Sequence, residues 1–419
     1  MNGKKYGFNT VATLTALLIT YFLSAFVKIS ASVVIPIYQE KLGFTSSLAG
    51  FISSMYYMPY AFMQLLTGPL CRKFGPQGVV ASGLLLCAAG GVMFGFPSNL
   101  YLVIVGRFLM GLGMGVSFIS VVSFIQNNFD GRFYGKLMGF SIMICNFGSA
   151  CSSEPLRALL KIVSERTVFI CLSAIMVVLA LSLLILGRKD CRRNPEEIGA
   201  SDSLIAQIAD SMKIVIHNRY VLCGLLLWVC YNAVLMAYQG LWCVKWTEII
   251  FSGTGYSYGL SGTLIAVGVM IGCVISDSIR FPKNSYAVSV WNVCLANILL
   301  FLVAILYRKF GSSFFVLLVI DTLYGISTGH ICVQETAMVR ERTDAVHNAT
   351  IMGILNFFAN LCSQNVQWLT GVMIDRFGSV SENIADSFFL TFSVLEFVFI
   401  VVFLFTGSLR KAVDSSDLR

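Results

Sequence analysis

The sequence predicts an all-α membrane protein, with twelve transmembrane helices in two pseudo-symmetric six-helix bundles. Three observations carry that prediction. Charged residues are only 12% of the 419 positions and hydrophobic residues are 57%. A soluble domain carries about a quarter charged residues, so lipid is the solvent for most of this chain. Apolar runs of about 20 residues recur along it, the length at which a helix crosses a hydrocarbon core. A polar stretch, Gly187–Arg219, separates six such runs from six more. It holds Arg188, Lys189, Arg192, Arg193, Lys213 and Arg219, with Asp190, Glu196, Glu197, Asp202 and Asp210 between them.

On this reading residues 1–187 form the first bundle, 188–218 a cytoplasmic linker, 219–406 the second bundle and 407–419 a cytoplasmic tail. Spans fall at 10–37, 46–70, 78–97, 99–126, 135–160 and 166–187, then at 219–244, 255–279, 285–307, 312–338, 348–373 and 385–406. The runs are too long, and too little alternating, for barrel strands. Helix is then the remaining way to satisfy backbone groups in lipid. The first run follows Lys4-Lys5 and continues past Ser30 toward Ile37. That is longer than the apolar region of a signal peptide, so it reads as an uncleaved span.

Lysine and arginine set the orientation. With both termini cytoplasmic, 19 of the 29 basic residues fall in inner loops and 8 in outer ones, while Lys28 and Arg107 lie inside spans. This distribution explains the net charge of +8 without a nucleic-acid partner. The 13 cysteines are scattered singly, mostly inside apolar runs, and the three histidines lie far apart, so no metal site, cofactor or disulfide framework is read. There is no phosphate-binding P-loop and no nucleophile–base constellation, so neither ATP hydrolysis nor another enzymatic reaction is expected on this chain.

The loop after the second span reads Gly68-Pro-Leu-Cys-Arg-Lys-Phe-Gly-Pro-Gln77, and the fourth span contains Gly106-Arg107-Phe-Leu-Met-Gly111-Leu-Gly113-Met-Gly115. Met63-Gln64 lies in the second span and Tyr238-Gln-Gly-Leu-Trp242 in the seventh; Met373-Ile-Asp375-Arg376-Phe-Gly378 closes the eleventh. In order and spacing these segments resemble the major facilitator superfamily, in particular a bacterial branch. The likeness covers essentially the whole chain. It implies a monomeric secondary transporter in the bacterial inner membrane, with the first, fourth, seventh and tenth spans lining a central path. It also implies gating positions at Gly68, Arg72, Lys73 and Gly75, with a second-half counterpart at Asp277. Arg72 stands where the family has an acid that helps lock the bundles at the cytoplasmic end. That charge inversion leaves Asp130 or the linker acids as substitutes.

Polar side chains inside spans gather where water or protein receives them. Tyr21, Ser24, Lys28 and Ser32 share one face of the first span. Lys28 there needs an acid, a water-filled path or an anionic solute. Snorkelling to the interface is the structural alternative. Arg107 reads either as a solute contact or as a residue bonding the carbonyls of a neighbouring helix. The glycines after it read as packing positions. Tyr60, Gln64, Asn232, Gln239, Trp242, Asn356 and Asn360 complete the expected solute-binding set, and Gln364 and Gln367 extend an amide-rich face on the eleventh span. Trp246 with Lys245 reads as an interfacial anchor. Glu154 and Arg157 read as a mutually neutralising i,i+3 pair.

Asp321 and Glu335 fall on one face of the tenth span. Both are candidate proton carriers, since a carboxyl withdrawn from water keeps its proton more readily; Glu335 reads equally as a cytoplasmic lock. The resulting expectation is alternating-access transport of a small polar solute bearing a carboxylate: a simple carboxylate, sugar acid, amino acid or short peptide, with H+ as candidate co-substrate. A non-transporting sensor on the same scaffold and a drug exporter are the rival readings.

Overall fold

The structure, a computed structural model, describes residues 7–96, 99–187, 204–278, 313–341 and 345–378, with isolated helical positions between 295 and 302 and between 390 and 401. Among the described residues every regular element is a helix. Ten of the twelve expected spans are seen, and the ninth and twelfth lie largely outside the described residues, as does most of the linker. Six of the helices are long and apolar enough to cross a membrane on composition alone. The eighth is apolar but shorter, at Leu260–Ile275.

Several spans are longer than their apolar runs and are broken near one end. The first comprises Phe8–Ile29 and Ala31–Leu42, joined at Ser30. The second comprises Ser46–Ser54 and the start of Tyr57–Phe94. Leu100–Met114 and Ser117–Asn128 form the fourth, and Gly131–Cys151 and Glu154–Leu159 the fifth. At each joint a serine hydroxyl donates to a carbonyl three residues back: Ser30 to Val27, Ser54 to Phe51, Ser117 to Met114 and Ser152 to Ser149. Such back-bonding competes with the helical ladder and bends it.

The expected loop after the second span is a correction. Helix continues through it, and Gly68 and Lys73 lie on helical turns. Only Gly75 departs, at φ 81° and ψ 149°, a conformation open essentially to glycine alone. This single residue turns the second span into the third. The side chains of Arg72, Asp277 and Glu335 lie outside the described residues.

The sixth span, Glu165–Gly187, exposes Ile175, Val178, Leu181 and Ile185, as a lipid-facing helix should. The linker contains a helix, Leu204–His217, that packs against the eleventh span (Ala345–Gly378). The seventh span is a composite of Arg219–Ala237, a π-helical turn at Tyr238–Trp242 and Cys243–Ile250. The eighth is Leu260–Ser278 and the tenth Phe314–Glu341.

Spans alternate in direction. The turns at Gly43, Phe96, Ser164 and Phe251 therefore share one end of the molecule, the Gly43 face, and Gly75 marks the opposite end. Within each bundle, neighbouring helices meet backbone to backbone. The third and fourth spans touch through Gly83, Gly90, Gly106 and Gly113, and the eighth and tenth through Gly268, Gly272, Gly325 and Gly329. A β-carbon at any of the eight would run into a carbonyl oxygen of the partner helix.

Candidate solute path and its seal

Arg107 is fully buried, and its guanidinium donates to Val27 O (2.7 Å) and Lys28 O (2.8 Å). Tyr56 lies against its face at 4.7 Å. Of the two roles open to it, the geometry is that of a clasp on the first span, at the weakened carbonyls before the Ser30 joint. Gly111 and Gly115 lie against the backbone of Tyr56 and Tyr60 and bring the fourth span onto the second.

Lys28 is half-buried, with its ammonium 5.9 Å from the centre of the Tyr60 ring. Cys145 of the fifth span and Cys332 of the tenth share its surroundings, which places it at the partition between the bundles. No described carboxylate lies within salt-bridge distance of it. The Tyr60 hydroxyl sits among Ser24, Ser117 and Gln64. Gln64 donates to Gly115 O at 3.0 Å, and its own Oε1 is buried without a hydrogen-bond partner. Lys28, Tyr60 and Gln64 thus form one group on the first bundle.

Across the partition, Asn232 accepts from Ser363 at 3.1 Å, and Asn360 donates to Asn356 O at 2.7 Å. Gln364 Oε1, on the same helix face, is buried with no partner. Gln239 and Trp242 do not join this group. They lie in the seventh-span π turn, where Gln239 reaches Gly262 O at 3.4 Å and Trp242 donates to Thr370 at 2.9 Å. Trp246 is wholly buried against Tyr238, which corrects its reading as an interfacial anchor. A wider turn leaves the helical ladder loose, and such turns recur at functional sites.

Asp321 is fully buried within the second bundle, away from both groups. It accepts from Tyr238 at 2.9 Å and from Ser261 at 2.5 Å, tying the tenth span to the seventh and eighth. Among the described residues no cation pairs with it.

Toward the Gly43 face the bundles are drawn together by polar contacts. Gln367 donates to Tyr57 OH at 3.2 Å and to Met236 O at 2.5 Å, beside the π turn. Asp375 accepts from the backbone N–H groups of Ser46 (3.0 Å) and Ser47 (2.6 Å), capping the first turn of the second span from the other bundle. Thr263 bonds Ala150 O and Glu154 N. Arg157 pairs with Glu248 at 3.2 Å and lies over the Tyr258 ring, so the expected pair with Glu154 is corrected. Past the Ser152 joint Arg157 points across the seam, and Glu154 Oε2 is left without a hydrogen bond. Lys245 pairs with Glu40. A cleft of about 170 Å³ lined by Ser32, Pro36, Glu40, Arg157, Lys245 and Glu248 opens above this seam.

Of this seal, sequence reasoning placed no residue among the site residues. Gln367 stood in the amide face without a role. Asp375 stood in a family motif, and nothing nearby in the sequence pointed to its partners.

Comparison with known proteins gives the same architecture. Over 155 residues the chain is 28% identical to the probable sulfoacetate transporter SauU of Cupriavidus necator, covering 37% of this chain and 36% of that protein. It is 26% identical over 196 residues to the phosphoglycerate transporter protein of Salmonella typhimurium, covering 45% and 42% respectively. These alignments span about four tenths of the length of each relative. The fold matches the crystal structure of a D-xylose-proton symporter at a TM-score of 0.70 and 16% identity, over 95% of this chain and 96% of that one. The family model described as Major Facilitator Superfamily matches residues 17–363. The chain therefore belongs to the Major Facilitator Superfamily of transporters.

Proposed function

We propose that the protein is a secondary transporter that moves a small anionic or zwitterionic solute across the membrane by alternating access. Simple carboxylates, sugar acids, amino acids and short peptides are the solute classes it fits. The observation that carries this reading is Lys28, an ammonium at the bundle partition with an aromatic wall and no described acid in range. An unpaired cation at such depth is costly unless water or an anion receives it. The two relatives are named for the anions sulfoacetate and phosphoglycerate, which supports the same class. With the termini in the cytoplasm, as the loop charges favour, the Gly43 face is external. The seam along it then belongs to an inward-facing state.

Proton coupling through Asp321 is part of the proposal. A buried carboxylate held only by hydroxyl donors gains or loses a proton without breaking an ion pair. Glu335, on the same helix, stands beside it as the second candidate.

The test is transport in proteoliposomes loaded with members of those solute classes. Wild type should exchange at least one organic anion, and Lys28→Gln should lower that exchange tenfold or more. Asp321→Asn should keep exchange but lose accumulation driven by a pH gradient. A wild type that binds anions without moving them would replace transport with sensing. A neutral solute carried equally well by Lys28→Gln would remove the anion from the reading.

A further inference from the structure

The charge count at the partition differs from the one the sequence offered. Two cations were expected to face the solute, and one of them, Arg107, has its guanidinium tied to Val27 O and Lys28 O. In mid-membrane, among the described residues, Lys28 is left as the basic side chain that neither carbonyls nor carboxylates hold. One ammonium can neutralise one negative charge. A second charge on the same solute would enter a low-dielectric site uncompensated, the arrangement that makes buried ions destabilising. A phosphate monoester carries about −1.5 to −2 near neutral pH and a carboxylate carries one.

A second observation concerns the rest of the solute. Apart from Gln367 Oε1 in the seal, each bundle holds one amide oxygen that is buried and without a donor: Gln64 Oε1, in the Tyr60 group, and Gln364 Oε1, on the Asn356–Asn360 face. Gln64 cannot easily turn to bury its oxygen elsewhere, because its nitrogen is anchored on Gly115 O. Buried acceptors are normally satisfied, and these two call for O–H or N–H donors. Carboxylate and phosphate oxygens bring no proton to them. Hydroxyl groups do.

From these two features together we infer that the path takes a singly charged, polyhydroxylated organic acid, with its acid group on Lys28 and its hydroxyls on Gln64 and Gln364, and discriminates against the phosphorylated counterpart. This narrows the anion reading above and rests on it.

The test is calorimetric titration of the purified full-length protein with four probes: gluconate, 6-phosphogluconate, hexanoate and sorbitol. Gluconate should bind at least about tenfold tighter than each of the other three, a difference set by one unpaired charge or one unmet acceptor. Lys28→Gln should abolish gluconate binding. Gln364→Leu should weaken gluconate about tenfold and leave hexanoate unchanged. If Lys28→Gln does not fold, the wild-type ranking and Gln364→Leu still decide the matter. Equal or tighter binding of 6-phosphogluconate would overturn the charge count and leave the anion reading standing. Equal binding of hexanoate would overturn the hydroxyl assignment. Equal binding of sorbitol would sink the anion reading itself, and binding of none of the four would overturn the inference.

Discussion

The contacts inside a bundle and the contacts between bundles share close glycine packing and differ in the polar links laid over it. Inside, the third and fourth spans and the eighth and tenth meet through glycines whose backbones touch, with no room for a methyl group. Between bundles, toward the Gly43 face, Gly50 lies against Gln367 O and Gly371 against Ser46 O, and hydrogen bonds and ion pairs surround that packing: Asp375 on Ser46 and Ser47, Gln367 on Tyr57, Arg157 on Glu248 and Lys245 on Glu40. Water can replace a polar link when it breaks, whereas lost backbone packing leaves a void that nothing refills. The first kind of contact suits a joint that stays shut. The second suits one that opens.

That contrast can be broken at graded strengths. The largest effect should come from Gly113→Ala or Gly329→Ala, each of which drives a β-carbon into the neighbouring backbone. Overpacking of this kind costs about 3 kcal/mol, and thermal unfolding in detergent should start roughly 3–4 °C lower. A variant that melts with wild type would mean that the helix pair separates easily after all.

Asp375→Asn should act on the seam and leave the fold intact. It removes the charge from two hydrogen bonds to a helix N-terminus, worth about 1.5–3 kcal/mol, or roughly a tenfold to hundredfold change in the ratio of closed to open forms. Spin labels at Lys161 and Ser252, one on each bundle at the Gly43 face, should report longer distances in the variant, in a cysteine-free background. An unaltered distance distribution would strip Asp375 of its role as a latch.

The smallest effect belongs to Lys245→Gln. Its partner Glu40 is well exposed, and pairs of this kind contribute about 0.2–1 kcal/mol. A double-mutant cycle with Glu40→Gln should return a coupling in that range that fades in 1 M salt. A larger, salt-insensitive coupling would move this pair into the class of permanent contacts.

Much of the fold was legible because hydropathy is additive along the chain: a run such as Glu165–Gly187 announces a span whatever surrounds it. The helix joints were partly legible in retrospect, since Ser30, Ser54, Ser117 and Ser152 are the residues that bend them, yet a serine bonding its own helix looks like any other serine. The partners of the site residues were not legible. Asp375 caps a helix 329 residues earlier, and no local pattern encodes that distance. Arg157 was misread because helical spacing puts Glu154 within its reach but says nothing of a competing acid, and Glu248 lies 91 residues on, across the seam. Arg107 carried two readings that only the position of the Val27 and Lys28 carbonyls could separate.

The joints have a mechanical consequence. Glu40 lies on Ala31–Leu42, Ser46 and Ser47 on Ser46–Ser54, Arg157 on Glu154–Leu159, and Lys245 and Glu248 on Cys243–Ile250. Each of these is a short outer segment set off from its long helix by a bend or by the π turn. A rod already notched bends at the notch, because fewer ladder bonds must be sacrificed there. These residues of the Gly43 face therefore ride on stubby levers hinged to two stiff blocks, while Gln367 and Asp375 stand on a long helix. The levers can yield one at a time, so that parting their share of the seam need not wait for the blocks to swing as a whole.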